Sequence, residues 1–286
     1  RKFTPKLVGQ QTASQKASTG CGFNGWRSSH IACVYVDGTG PQALVDWCNA
    51  RSQGTISSWL AALWTGSLAR PFYKTNKCEA IRPILQAEAL VKFALGTCDK
   101  GCAVELIVGA EPRQYGGGRS GGASLEITEV RAAAAMRPDC ALLGLDMQNA
   151  FCQTEGADAV RQAAAHAPRF AVPLAMLWRG GAGQCIYIQC ADGVSWSSFQ
   201  AYGSVIQGNQ EGSTVFCLVI CQVLRRVQAD ARPAWLPITH WLYIDDWIVP
   251  LPLAAAALML DVVEASAKLP LFPLERTRPA FHAPSL

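Results

Sequence analysis

The sequence predicts an α+β fold in which an antiparallel sheet packs on helices. Short apolar runs typical of strands are joined in pairs by tight turns, and longer runs with helical spacing lie between them. Regular strand–helix–strand units are few, which favours α+β over a parallel α/β arrangement. Half of the 286 residues are hydrophobic and 16% are charged, so the composition is that of a chain with a core.

The N-terminal part of the chain predicts an arm followed by a helical region. Residues 1–30 are rich in Gly, Ser, Thr and Gln, which predicts a loose polar arm. Apolar spacing then predicts a helix within residues 42–64. A short strand over residues 78–86 and a helix over residues 87–95, ended by Gly96, follow.

The middle of the chain predicts strands that run into polar or glycine-rich segments. VELIVG, residues 104–109, predicts a strand before a glycine-rich loop, and Ser124–Arg137 predicts an alanine-rich helix. The run CALLGL predicts a strand that ends at Asp146 and turns toward a helix. Residues 183–190 and 197–207 predict two further strands joined by a turn at ADG.

The C-terminal part predicts a helix, a hairpin and a last helix. Thr214–Arg226 has its apolar residues on one face, and Ser213 or Thr214 is suited to cap its start. THWLYIDDWIVP, Thr239–Pro250, predicts two strands around a tight turn, since Asp is a good turn residue. Leu253–Lys268 predicts the last helix.

Charge and cysteine usage limit the partners and the compartment. The formal charge of +4 permits nucleic-acid binding without requiring it. The 12 cysteines form no C-x-x-C pair, and many lie in apolar runs where a reduced thiol packs as a small hydrophobe, which indicates an intracellular protein. The most apolar stretch, residues 249–263, is broken by prolines and Asp261, so we expect no membrane span. The chain starts without Met and stops abruptly, which favours a fragment of a longer protein.

Acidic residues end two of the apolar runs. Asp245 and Asp246 lie side by side between apolar flanks, and Asp146 ends an earlier strand. A solvated hairpin turn is the ordinary explanation of an Asp pair, but it does not account for the apolar flanks or for Asp146. Strands that end together would gather three carboxylates, whose repulsion a cation relieves. Oxygen ligands with few histidines favour Mg²⁺, and two such ions can promote displacement at phosphorus.

Several motifs, taken in their order along the chain, resemble those of reverse transcriptases, most closely the enzymes of non-LTR retrotransposons. YIDD resembles the Y-x-D-D box, and LDMQNAF resembles the first acidic motif of the family, an Asp followed five residues later by an aromatic residue. The other similar segments, which extend the resemblance over nearly the whole chain, are GFNGW (22–26), IRPI with Glu88 and Leu90 (81–90), QYGGGRSGG (114–122) and GSVIQGNQEGSTVF (203–216).

The resemblance implies a right-hand polymerase architecture. An antiparallel palm sheet packed on helices would carry the acidic motifs, beside a fingers region, with the thumb absent or truncated. The implied domains are a polar N-terminal arm at 1–40, a fingers-like region with part of the palm at 41–140, and the palm at 141–286.

The resemblance also implies an activity and its cofactor. The chain would be an RNA-directed DNA polymerase that binds an RNA template, a DNA primer and dNTPs. Asp146, Asp245 and the main-chain carbonyl of Met147 would bind two Mg²⁺ ions, for which Mn²⁺ can substitute, and Asp246 would be a supporting catalytic acid. Positioning and charge neutralisation would supply most of the catalysis.

Five further residues would bind the substrates according to the same resemblance. Phe151 would exclude a 2′-hydroxyl, although a phenylalanine at a helix start is by itself more often a core residue. Arg82 would contact the triphosphate; the alternative is that it is an ordinary surface arginine. Gln207 and Gly208 would line the nucleotide site. Tyr243 would support the primer end; the alternative is that it is an ordinary aromatic residue of a strand.

The chain also departs from the family pattern, which keeps alternatives open. Asn209 and Gln210 replace the usual Asp and Pro after the Gln-Gly pair, and Ser213 replaces the second proline. These changes suit a catalytically inactive retroelement remnant that only binds nucleic acid. An RNA-directed RNA polymerase conflicts with Phe151, and a simple metal-dependent hydrolase leaves Arg82 without a role.

Overall fold

The structure is a computed structural model that forms two compact units, each built from two chain segments. The first unit comprises residues 1–105 and 155–212, and the second comprises residues 106–154 and 213–286. The residues that the structure describes are 2–16, 20–57, 59–61, 65–73, 81–110, 113–117, 119–147, 150–177, 184–201, 211–230 and 240–267.

Eleven helices and seven strands are defined within the described residues. The helices are α1 (Pro5–Ser14), α2 (Ser28–Val36), α3 (Gly40–Gln53), α4 (Ala89–Gly101), α5 (Ala103–Gly109), α6 (Gly122–Met136), α7 (Ala150–Gln153), α8 (Gly156–His166), α9 (Pro168–Ala175), α10 (Gly212–Ala229) and α11 (Ala256–Ala267). The strands are β1 (Ser67–Tyr73), β2 (Ile81–Ala87), β3 (Ala141–Leu145), β4 (Gln184–Gln189), β5 (Trp196–Ala201), β6 (Trp241–Tyr243) and β7 (Asp246–Leu251).

The first unit combines a helical cluster with a four-stranded sheet. The strand order is β2-β1-β4-β5, with β1 antiparallel to β2 and parallel to β4, and β4 antiparallel to β5. Helix α1 packs on α3 and α4, while α9 packs on α3, α4 and α8. Apolar burial drives this packing, because Val8, Phe93 and Phe170 are fully inaccessible to solvent.

The second unit contains an antiparallel three-stranded sheet in the order β3-β7-β6. Helix α6 packs against β6. Helix α10 is the most deeply buried helix of this unit, with Phe216, Ile220 and Val223 all fully buried. A short 3₁₀ helix, Leu253–Ala255, leads from β7 into α11.

Most of the predicted elements are confirmed, with small shifts at their ends. The hairpin, the strand before Asp146 and the helix predicted at Ser124–Arg137 are present as β6–β7, β3 and α6. The described parts of the two predicted strands at 183–207 are β4 and β5, joined by a turn. Helix α10 begins at Gly212, so Ser213 and Thr214 lie in its first turn and the predicted N-cap is displaced.

Three predictions of local structure are wrong. The segment expected to be a loose arm, residues 1–30, contains α1 and the start of α2, and Val8 of α1 is buried. Helix α4 continues beyond Gly96 to Gly101, because Gly96 is buried inside a packed helix face. VELIVG belongs to helix α5, not to a strand.

The spacing of buried residues explains why VELIVG is helical. Cys102 and Leu106 are buried four residues apart, which is the helical period. Val104 and Val108 also lie four residues apart and are 72% and 77% exposed. The β-branched residues that favoured a strand therefore face solvent and do not determine the local structure.

The two units differ from the predicted domain boundaries at residues 40 and 140, since each unit joins distant segments. The assignment of fingers and palm to parts of the chain stays a prediction. None of the helices in the described ranges has the length and hydropathy needed to cross a bilayer.

Candidate active site

Two aspartates occupy opposed positions at one end of the three-stranded sheet. Tyr243 pairs with Asp246 where the β6–β7 hairpin closes, and Leu145 pairs with Trp247 where β3 runs beside β7. Continuing the antiparallel register by one residue brings Asp146 opposite Asp246. The sheet therefore brings the acidic end of β3 beside the hairpin, and metal binding there stays a prediction.

The electrostatic state of Asp246 reflects this arrangement. Burial raises the pKa of the Asp246 carboxyl, and the negative charge of Asp146 raises it further. The charge of Asp146 thus destabilises the ionised form of Asp246 unless a cation lies between the two carboxyl groups. This repulsion is the property expected of a cation site before the cation binds.

A third carboxyl group, Glu126 of α6, lies in the same region. Its side chain is only 6% exposed, and its Oε1 atom is buried without a hydrogen-bond partner among the described residues. Burial, followed by the charge of Asp246, raises the pKa of Glu126 to about 7. Glu126 was not predicted as a site residue.

The three carboxyl groups line an open cleft of about 530 Å³. Tyr243 at the end of β6 lines the same cleft, and its contact with a primer end stays a prediction. The apolar part of the lining includes Ile127, Leu145, Trp247 and Ile248. The cleft therefore combines an apolar floor with acidic groups, a combination suited to binding a ligand through a cation.

The turn of the hairpin is strained. Ile244 has a φ of 61°, and it is the one non-glycine residue with positive φ in the described part of the chain. Positive φ at the first central position alone is a feature of type II′ hairpin turns, which normally place glycine there. A β-branched residue in this region costs on the order of 1–3 kcal/mol and is found where the surroundings impose the conformation, often at functional sites.

Asp245 follows Ile244 in the turn and is half-buried. The pKa of the Cys217 thiol on α10 is raised well above its usual value by burial, by Cys221 and then by the charge of Asp245. Asp245 thus lies on the α10 side of the turn, whereas Asp246 faces Asp146. The sequence prediction gave Asp245 the ligand role and Asp246 a supporting role, and the register instead favours Asp246 as the partner of Asp146.

The other predicted site residues are distributed over the chain. Met147 is buried, and its carbonyl oxygen accepts a hydrogen bond from the Ala150 N–H at 3.3 Å. Phe151 on α7 packs against Phe216, with their ring centroids 5.2 Å apart.

Of the remaining three predicted substrate-binding residues, the structure describes Arg82, which belongs to the first unit. Arg82 lies in β2, where its backbone pairs with Phe72. Gln207 and Gly208 lie outside the described residues, so their predicted contact with the nucleotide stays a prediction.

The side chains available as ligands limit how the predicted Mg²⁺ could be bound. In the described ranges, no three His, Cys, Asp or Glu side chains lie close enough together to hold a metal ion by themselves. Mg²⁺ in phosphoryl-transfer sites is commonly held by one or two carboxylates, with water and substrate phosphates as its other ligands. The opposed pair of Asp146 and Asp246 fits that mode of binding and does not fit a closed, all-protein metal cage.

Sequence reasoning missed Glu126 and the function of Gln114, which contacts the turn from the glycine-rich segment. A lone glutamate within a helix usually faces water, and SLEITEV gives no sign that Glu126 is buried. QYGGGRSGG was one of the motifs, but the sequence assigned no role to Gln114 within it.

Comparisons with known proteins show the fold. No protein-family model matches the chain, and no curated protein sequence matches it either. Among solved structures, the chain is similar to apo telomerase from Candida tropicalis truncated from its C-terminal domain, with a TM-score of 0.52 and 10% sequence identity. The match covers 72% of this chain and 47% of the telomerase chain, so the similar region spans about half of that protein. The chain therefore has a mixed α+β fold similar to that of the matched part of the telomerase chain.

Proposed function

We propose that this chain is the RNA-directed DNA polymerase domain of a retroelement, which adds dNTPs to a primer 3′-hydroxyl on an RNA template. The observation that supports this most directly is the register that brings Asp146 opposite Asp246 beside a cleft. The telomerase-like fold is consistent with it. A hydrolase built on the same acids would leave Arg82 without a role.

Asp146 and Asp246 would hold Mg²⁺, with the Asp245 carboxylate and the Met147 carbonyl as further oxygen donors. Bound Mg²⁺ would lower the pKa of the primer hydroxyl and neutralise charge on the triphosphate. The primer 3′-oxygen, after losing its proton, would form a bond to the α-phosphorus as the bond to pyrophosphate breaks. The protein contributes by holding its carboxylates in fixed positions before the substrates arrive.

Tyr243 and Phe151 would position the sugar groups. Tyr243 lines the cleft next to the turn, where a primer end could rest against its ring. Phe151 is held by its contact with Phe216, and a fixed ring can exclude a 2′-hydroxyl. Arg82, Gln207 and Gly208 would bind the triphosphate and base of the incoming nucleotide, as the resemblance implies.

Primer extension on an RNA template tests the proposal, with Mg²⁺, dNTPs and the full chain. We expect extension to fall at least about a hundredfold in Asp146→Asn and in Asp246→Asn, because each loses several kcal/mol of charge stabilisation. Asp261→Asn on the exposed side of α11 is the matched control and should extend normally. Asp245→Asn, compared with Asp246→Asn, shows which acid of the pair matters more.

Two results would contradict the proposal. Preferential incorporation of rNTPs would indicate an RNA polymerase. Binding of template and primer without any extension would indicate the inactive remnant, which the substitutions at Asn209 and Gln210 favour.

A further inference from the structure

The turn that carries Asp245 is enclosed by a segment more than 100 residues earlier in the chain, in the same unit. Gln114 is only 1% exposed. Its Oε1 atom accepts a hydrogen bond from the Ile244 N–H at 3.0 Å, and its Nε2 donates to the Ile244 carbonyl oxygen at 3.3 Å. One side-chain amide thus bonds both backbone groups of the strained residue, as a neighbouring strand would.

The backbone around Gln114 is itself attached to β6. The Leu242 N–H donates to the Arg113 carbonyl at 3.0 Å, and the Tyr115 N–H donates to the Leu242 carbonyl at 2.6 Å. Gln114 forms a parallel bridge with Leu242. The segment is therefore fixed along the hairpin edge before its side chain reaches the turn.

Gly116 contacts both Gln114 and Ile244. Its N–H also donates to Gln114 Oε1, at 2.9 Å, which fixes the orientation of the amide. A Cβ at position 116 would lie 2.6 Å from Ile244 Cγ1 and 2.8 Å from the Ile244 nitrogen. Real side chains do not approach a backbone nitrogen so closely, so this position requires glycine.

A second set of hydrogen bonds fixes the residues that flank this contact. The Tyr115 hydroxyl donates to Glu129 Oε2 at 2.6 Å, and the Trp241 indole N–H donates to the same oxygen at 3.1 Å. Glu129 on α6 therefore joins the glycine-rich segment to the start of β6. The clamp, defined as Gln114, Gly116 and Ile244, is thus supported on both sides.

We infer that Gln114 is a positioning residue, which holds Ile244 at positive φ and thereby fixes the carboxylates of Asp245 and Asp246. The catalytic part of this inference rests on the proposed function, whereas the structural part does not. Without the amide, Ile244 can relax toward negative φ. The two residues after it would then turn away from the position in which Asp246 opposes Asp146.

The test replaces Gln114 with methionine, which keeps the length of the side chain and removes both hydrogen-bonding atoms. We expect Gln114→Met to lower kcat for primer extension about ten- to hundredfold, because displacement of catalytic groups by an ångström has effects of that size. KM for dNTP should change less than about twofold, since uniform substrate binding is not altered. Gln228→Met, at an exposed position of α10, is the matched control.

A rescue experiment separates positioning from a general loss of structure. Glycine adopts positive φ without strain, so Ile244→Gly should make the turn independent of the amide. We expect Gln114→Met to cost at most a few-fold in kcat in the Ile244→Gly background. An equal loss in both backgrounds would overturn the inference.

Two readouts do not depend on activity. Hydrogen exchange of the Ile244 amide should accelerate in Gln114→Met and not in Gln228→Met, and Mn²⁺ affinity should fall about threefold or more. If the wild type extends no primer but both changes occur, the proposed function fails and the positioning inference stands. If neither exchange nor Mn²⁺ affinity changes, the inference fails whatever the activity.

Discussion

Glu126 is a carboxyl group that keeps its proton close to neutral pH. Its pKa is raised from 4.5 to about 7 by burial and by the charge of Asp246. In the unfolded chain the same group loses its proton near 4.5. The stability that protonated Glu126 contributes is therefore complete below about pH 4.5 and is lost as the pH rises through about 7.

Replacement of Glu126 by glutamine should remove this pH dependence. We expect Glu126→Gln to be more stable than the wild type by on the order of 2 kcal/mol at pH 8, and nearly equal to it at pH 4.5, because glutamine has no proton to lose. Urea unfolding at several pH values measures the difference. Glu105→Gln, at an exposed position, should stay within about 0.5 kcal/mol throughout. A constant difference between Glu126→Gln and wild type would contradict the assignment.

At the level of single residues, the sequence singled out the three aspartates and missed the side chains that lie around them, such as Glu126. Asp146, Asp245 and Asp246 were recognisable because carboxylates between apolar strand residues are unusual. Glu126 was not, because its burial depends on the packing of α6 against β6. The distant partners of a side chain are set by tertiary structure, which local patterns do not contain.

Whole elements were predicted where their pattern and their burial agree. The hairpin was predictable because its flanks are apolar and its turn is acidic, and α10 because one face is continuously apolar. The strand prediction for VELIVG was wrong because the composition of this segment favours a strand, whereas Cys102 and Leu106 are buried at helical spacing. Strand β1 was missed as well, although it pairs along its whole length with the predicted β2.

The contact between the glycine-rich segment and α10 allows a test on two glycines. Gly117 has a φ of 58°, and a Cβ there would lie 2.9 Å from Cys217 Sγ. Gly121 has a φ of 69°, and a Cβ there would have nothing within 4 Å. Both therefore adopt the left-handed conformation, but only Gly117 is crowded.

We expect Gly121→Ala to lower the free energy of unfolding by about 1 kcal/mol, the cost of the left-handed conformation for alanine. Gly117→Ala should cost about 1–3 kcal/mol more, because overpacking adds to the same backbone cost. Adding Cys217→Ala should recover much of that extra cost, since it removes the nearest atom. Denaturant unfolding of the four proteins gives the comparison, and equal losses for the two glycine variants would refute the crowding.

On the scale of the whole molecule, the organisation of the units was beyond sequence reasoning. Sheet β3-β7-β6 joins residues about 100 positions apart, and each unit is built from two separate segments. The boundaries at residues 40 and 140 followed from the order of the motifs along the chain, which does not report which segments share a core. The α+β class was predictable, because strand-like runs joined by tight turns alternate with helical runs along the whole chain.

The charge of the whole molecule leads to a last prediction. The chain carries 25 basic and 21 acidic residues, a net +4 that attracts nucleic acid weakly, while Asp146 and Asp246 make the cleft locally repulsive to phosphate. Mg²⁺ should therefore strengthen binding of an RNA–DNA hybrid by about three- to tenfold at low salt, the equivalent of roughly 1 kcal/mol.

In the Asp146→Asn/Asp246→Asn double variant, affinity in EDTA should rise to the Mg²⁺ level of the wild type, and added Mg²⁺ should have little effect. Fluorescence anisotropy of a labelled hybrid measures all four affinities, with Asp261→Asn as the control for a change of one surface charge. A wild type that binds equally well in EDTA and in Mg²⁺ would show that the acidic pair does not meet the phosphates. Because no catalysis is involved, the experiment is as informative for an inactive remnant as for a working polymerase.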